Sequence, residues 1–210
     1  MTADETLATI AAEVKACTKC RLHLTATQGV PGEGPASAEI MLIGEGPGFY
    51  EDKEGRPFVG ASGRFLEELL GHIDLKRSDV FITNVVKHRP PENRDPLPDE
   101  VAACAEYLDR QIAAINPAVI VTLGRISMAR FFPNVKISAV HGQAKLIDGR
   151  LVVAMFHPAA ALHQQSLRQT LIDDFKKLPA LIAKSKKDSP TQTSGNDQTG
   201  EGPASQLSLF

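Results

Sequence analysis

The stretch EIMLIGEGPGFYEDKEGRPFVGASGRFLEELL (residues 39–70) decides the fold. Its opening, residues 39–43, carries Ile40, Met41, Leu42 and Ile43 in an unbroken apolar run. Such a run without alternation is how a strand reads when both faces of a parallel sheet are covered. A glycine-rich turn, GEGPG (residues 44–48), follows at once. The stretch then closes on residues 63–72, where Phe65, Leu66, Leu69 and Leu70 recur at helical spacing.

The same pattern recurs along the chain. Residues 79–83, 118–123 and 151–155 are further short runs rich in Ile, Val and Leu, and residues 99–115, 126–131 and 164–183 read as helices. Residues 4–16 form one more, with Leu7, Ile10 and Val14 on one face behind a cap at Thr2 or Asp4. Alternating strands and helices predict an α/β domain, a three-layer αβα sandwich around a mostly parallel four-stranded sheet. Ligands of such sheets bind at the carboxyl ends of the strands. There, strand one runs into GEGPG, strand two into Thr83 and Asn84, and strand four into Phe156, His157 and Pro158. Three loops are therefore expected to meet at one edge.

Composition narrows the classes. A chain of 210 residues, 42% hydrophobic and 23% charged, supports one well-cored domain with an appendage. Its net charge of −2 excludes binding to a polyanion by bulk electrostatics and leaves only a local basic patch; Lys53, Arg56, Arg64, Lys87, Arg89 and Arg94 lie in or near the expected edge loops. No basic leader and no run of roughly 18 apolar residues is visible, so a cytoplasmic protein that does not enter a membrane is expected. The three cysteines, Cys17, Cys20 and Cys104, are odd in number and include a CxxC, which favours metal ligation or redox chemistry over disulfides. After residue 183 the composition turns to Lys, Ser, Thr, Gly and Asp, which cannot bury a core. The expected organisation is a folded domain over 1–183, a disordered linker over 184–205, and the abrupt apolar pentapeptide QLSLF over 206–210.

The segment GEGPGFYEDKEGRPFVGASGRFLEELL, with HPAAAL (residues 157–162) far downstream and ITNVVKHRPPENRDPLPDE (residues 82–100) between them, resembles the signature segments of family 4 uracil-DNA glycosylases. The resemblance runs from residue 15 to about residue 180. It implies a DNA-repair enzyme that flips uracil out of the helix and hydrolyses its N-glycosidic bond, leaving an abasic site. Against a dinucleotide site, GEGPG has the form GxGxG and a charged loop is expected after it instead of a helix.

The residue types suit that chemistry. Phe58 offers a ring, which the resemblance assigns as the platform under uracil. The Asn84 amide can accept from N3–H and donate to O4, a pattern that cytosine does not match, so a mismatched base would leave buried polar groups unpaired. His157 can donate to O2 as negative charge develops on the base. Glu45 is the candidate for orienting the water, with Glu51 and Asp52 as second choices. Gly46 belongs to the loop whose backbone amides can approach the base closely. For the wedge that fills the vacated stack, Leu162 is the only large apolar side chain in HPAAALHQQ.

In the family that the chain resembles, four cysteines hold a 4Fe–4S cluster. Cys17, Cys20 and Cys104 match three of them, and His88 stands at the fourth position. Imidazole replaces thiolate in Rieske centres, so His88 is expected as the fourth ligand, with zinc in a Cys3His site as the alternative. A related branch of the superfamily also has histidine here and traps uracil-DNA covalently through a histidine in an inserted basic loop. PPENRDPLPDEV (residues 90–101) contains neither histidine nor insertion, so turnover is expected. Lastly, QLSLF resembles the peptide by which bacterial proteins dock on the replication sliding clamp, with Gln206, Leu207, Leu209 and Phe210 as the contacts. A monomer associated with the nucleoid is the expected state.

Overall fold

Five strands form one sheet: β1 (Ile40–Gly44), β2 (Phe81–Asn84), β3 (Val119–Leu123), β4 (Ala144–Ile147) and β5 (Arg150–Met155), in the order β2-β1-β3-β5-β4. The first four in that order are parallel, as the unbroken apolar runs require, and β4 is an antiparallel edge. The computed structural model describes residues 1–162 and 164–188.

Side chains alternate between two covered faces. Leu42, Val121 and Val153 pack with Phe65, Leu66, Leu69, Phe175 and Leu178, which belong to α3 (Ala61–Gly71) and α8 (Gln165–Asp188). Met41, Ile43, Ile120 and Val152 pack on the other side against Leu108 and Ile115 of α4 (Pro98–Ile115) and Met128 of α5 (Arg125–Ala129). Each such side chain, fully buried, contributes roughly 1.5–3 kcal/mol. The remaining helices are α1 (Ala3–Lys15), α2 (Phe49–Glu54), α6 (Ile137–Val140) and α7 (Pro158–Ala161). Thr2 is the cap of α1, in a capping box with Glu5, and the helix seats Ile10 and Val14 beside Tyr107 of α4. The expected three-layer αβα arrangement is therefore present.

Three local expectations change. The sheet has a fifth strand because the exposed edge strand AKLI, half-buried at best, lacks the apolar run that marked the others. The segment after GEGPG is a helix, not a loop: Glu51, three residues inside α2, accepts from the Gly48 N–H at 3.1 Å, and Gly55 ends the helix at φ +72°. Helix α8 continues to Asp188, five residues past the boundary that composition suggested, so 184–188 are helical. The rest of the expected linker and the QLSLF peptide, with Gln206, Leu207, Leu209 and Phe210, lie outside the described residues.

Candidate active site

The chain leaves β1 to one side for β2 and returns to its other side for β3. β1 is thus the topological switch point, where an α/β sheet opens a crevice at its carboxyl edge. A cavity of about 300 Å3 sits there. Glu45, Gly46, Phe58, Asn84 and His157, all named from the sequence, line it together. So do Pro47, Ser62 and the 93–96 segment, which lie in the signature segments but to which, Arg94 apart, the sequence assigns no individual role.

Asn84 ends β2 and is 2% exposed. Its Oδ1 is a buried acceptor with no hydrogen-bond partner among the described residues. Buried polar atoms are almost always paired, which singles this acceptor out in the cavity lining. Gly44, opposite Asn84 in the parallel register, makes room: a Cβ there would collide with that Oδ1 and stand 2.7 Å from the Phe58 ring.

Phe58 is buried and adopts φ +53°, a left-handed conformation that costs a non-glycine residue about 1–3 kcal/mol. Arg77 holds it there: Nη1 donates to the Phe58 carbonyl at 2.7 Å and Nη2 to that of Pro57, while Nε pairs with Glu33. The Phe58 ring stacks on the His157 imidazole with centroids 5.5 Å apart and planes inclined by 25°.

His157 caps α7, its Nδ1 accepting from the Ala159 N–H at 3.1 Å. That bond requires Nδ1 to be unprotonated and so puts the proton of the neutral ring on Nε2. Burial pushes the imidazole down to about 4, and the Glu51 charge offsets this only partly. At neutral pH His157 is therefore a neutral N–H donor.

Glu45 follows β1 and accepts from the Ile126 N–H at 3.0 Å. Burial raises its carboxyl above the usual range, against the Ile126 bond and with the Asp95 charge adding to the rise. Gly124, at φ +101°, lets the carboxylate reach this position, since a Cβ there would stand 2.9 Å from Glu45 Cδ. The second choices have other tasks. Glu51 accepts from Val59 N–H at 2.9 Å, Gly60 N–H at 3.0 Å and Gly48 N–H, which ties the two loops of the cavity wall together. Asp52 is turned toward Thr27, accepting from its N–H at 2.8 Å and its hydroxyl at 2.7 Å.

The basic candidates also sort themselves. Lys87 is fully buried, its Nζ donating to Thr83 Oγ1, the Asn84 carbonyl and Gln111 Oε1 at 2.7–2.8 Å, so it cannot reach a phosphate. Arg94 is paired bidentately with Glu100, and Arg56 with Glu33. Lys53 and Arg64 are exposed.

The three cysteines are in no disulfide. Cys17 and His88 line one small cavity, of about 180 Å3, just past the end of α1. Cys104 is 2% exposed on α4; burial pushes its thiol up to about 11, the Lys87 backbone N–H donates to it, and the Cys20 and Cys17 sulfurs act on it electrostatically. Burial, then the neighbouring His23, holds the His88 imidazole below its ordinary value. Three thiols and an imidazole are, by their chemistry, donors that an iron–sulfur centre accepts. Among the described residues, no three His, Cys, Asp or Glu side chains are arranged to hold a metal ion.

The model of the uracil DNA glycosylase superfamily matches residues 31–178. The chain is 48% identical over 190 residues to a type-4 uracil-DNA glycosylase of Archaeoglobus fulgidus, covering 86% of this chain and 95% of that protein. It is 49% identical to that of Sulfurisphaera tokodaii, covering 84% and 85%, and 44% identical to that of Thermotoga maritima, covering 87% and 98%. The chain belongs to the type-4 uracil-DNA glycosylases of the uracil DNA glycosylase superfamily.

Proposed function

We propose that the protein flips uracil out of DNA and hydrolyses its N-glycosidic bond, releasing the base and leaving an abasic site. The observation that carries this reading is the unpartnered, buried Oδ1 of Asn84 inside a cavity floored by Phe58. With Oδ1 accepting from N3–H, the amide nitrogen donates to O4, and cytosine meets a donor where it offers a donor. Phe58 takes the flat face of the base. As the glycosidic bond breaks and electrons move onto the ring, the Nε2–H of His157 meets the growing charge on O2. Glu45, in its carboxylate form, holds the attacking water and offsets the positive charge on the sugar. Gly46 brings backbone to the base edge, and Leu162, 40% exposed just beyond α7, fills the vacated stack.

In this reading Cys17, Cys20, His88 and Cys104 hold a 4Fe–4S cluster, which would pin the end of α1 to the 88–104 segment beside the DNA path. The QLSLF peptide tethers the enzyme to the sliding clamp, and the protein acts as a monomer on nucleoid DNA in the cytoplasm. No described helix is long and apolar enough to cross a membrane. An oligonucleotide with one uracil, incubated with the protein, treated with alkali and run on a denaturing gel, tests the proposal. Strand scission at the uracil is the expected result; a denaturant-resistant protein–DNA adduct would show trapping instead, and an intact strand would overturn the proposal.

A further inference from the structure

The cavity mouth carries two side chains that the chemistry above leaves unused. Phe49 and Tyr50 begin α2 immediately after Pro47 and Gly48 of the cavity wall, and they are 54% and 57% exposed. Their rings meet edge to face with centroids 5.4 Å apart. Tyr50 leans over Gly60 on one lip, where a Cβ would lie 3.4 Å from its ring. The Arg89 guanidinium lies over Phe49 on the other lip, 5.2 Å from the centroid, and Nε donates to Asn93 Oδ1 at 2.8 Å. Exposed apolar surface beside a binding cavity is where ligands and partners dock. Here the two rings follow directly on Pro47 and Gly48 in the wall of a site whose ligand is one nucleotide of a longer strand, and the Arg89 cation stands beside them. Aromatic faces next to positive charge are how proteins hold unpaired bases without regard to sequence.

We propose that Phe49 and Tyr50 form a stacking shelf for an unpaired base next to the flipped nucleotide, with Arg89 against the phosphate. The proposal rests on the DNA-binding reading above and extends it to single-stranded substrate. The chain offers a direct reporter: it has no Trp and two Tyr, of which Tyr107 is buried at 3% exposure. Binding of a uracil-free single-stranded oligothymidylate should quench the Tyr50 emission, and Tyr50→Phe should remove that signal. Phe49→Ala/Tyr50→Ala should raise the Kd for this strand roughly ten- to a hundredfold. Phe49→Trp/Tyr50→Trp should restore binding, and an unchanged Tm should show that the exposed substitutions leave the fold intact. Binding seen by anisotropy without quenching, or an unaltered Kd in the double alanine variant, overturns the shelf. Because the strand contains no uracil, these readouts stand apart from excision, whose failure would appear only in the product assay.

Discussion

Gly44 and Asn84 are register partners in the parallel β1–β2 pair, and a side chain on Gly44 would collide with the Oδ1 of Asn84. The two positions thus act as one: the first is empty so that the second can present its amide to the cavity. Gly44→Ala should therefore injure activity more than stability. Displacing a reading group by about 1 Å costs on the order of a hundredfold in kcat/KM, while overpacking costs about 1–3 kcal/mol. Steady-state kinetics beside a thermal melt checks the split.

His157→Ala should lower kcat on the order of a hundred- to a thousandfold, as expected when one preorganised donor to a developing anion is lost. Substrate affinity should change less, because the bond strengthens only as the base departs. Single-turnover rates compared with the Kd for uracil-DNA measure the two separately.

The pH dependence follows from two opposite shifts. Burial raises Glu45 and lowers His157 to about 4. As pH falls, Glu45 takes up its proton first, so kcat/KM should decline on an acid limb above the ordinary carboxylate range while His157 is still the neutral donor. Glu45→Gln should be slow, by roughly a hundred- to ten-thousandfold, and lack that limb. For stability the signs differ. Unfolded His157 binds a proton below its ordinary 6.5 and the folded form does not until about 4, so its contribution falls as pH drops through that window. Glu45, whose folded form binds its proton more readily, acts with the opposite sign between its ordinary and raised values. Melts of His157→Gln across this range should show a shallower loss toward acid than the parent.

The cluster assignment predicts iron with inorganic sulfide in purified protein and broad visible absorption, both lost in His88→Ala. His88→Cys should retain the cluster at a lower reduction potential, because thiolate replaces imidazole on one iron. Stoichiometric zinc without iron would contradict the assignment.

Much of this site was legible because its residues lie where strands end. Apolar runs without alternation mark β1, β2, β3 and β5, and at or within two residues of the ends of three of them stand Glu45, Asn84 and His157. What stayed hidden depends on partners far away in the chain. Nothing near Phe58 announces that Arg77 fixes its carbonyl, and nothing near Glu45 points to Gly124 and Ile126. Lys87 looked like a phosphate contact because loops beside an active site are usually solvated; only its three acceptors show why a charge is tolerated in the interior. Helix α2 escaped notice since it is six residues long and has no apolar periodicity, being held by the Glu51 carboxylate. The edge strand β4 did so because it is four residues long and buries none of its side chains fully, so it carries no apolar run.

The central claim is that the Asn84 amide chooses the base. Chromatography of the free bases released from matched oligonucleotides carrying uracil or cytosine, with the parent protein and Asn84→Asp, tests it most directly. The account predicts that the parent releases uracil alone, with discrimination on the order of ten-thousandfold or more. Asn84→Asp, which replaces the donor to O4 by an acceptor, should lose most uracil release and narrow the ratio toward cytosine. Uracil release by Asn84→Asp at the parent rate and selectivity would contradict the account.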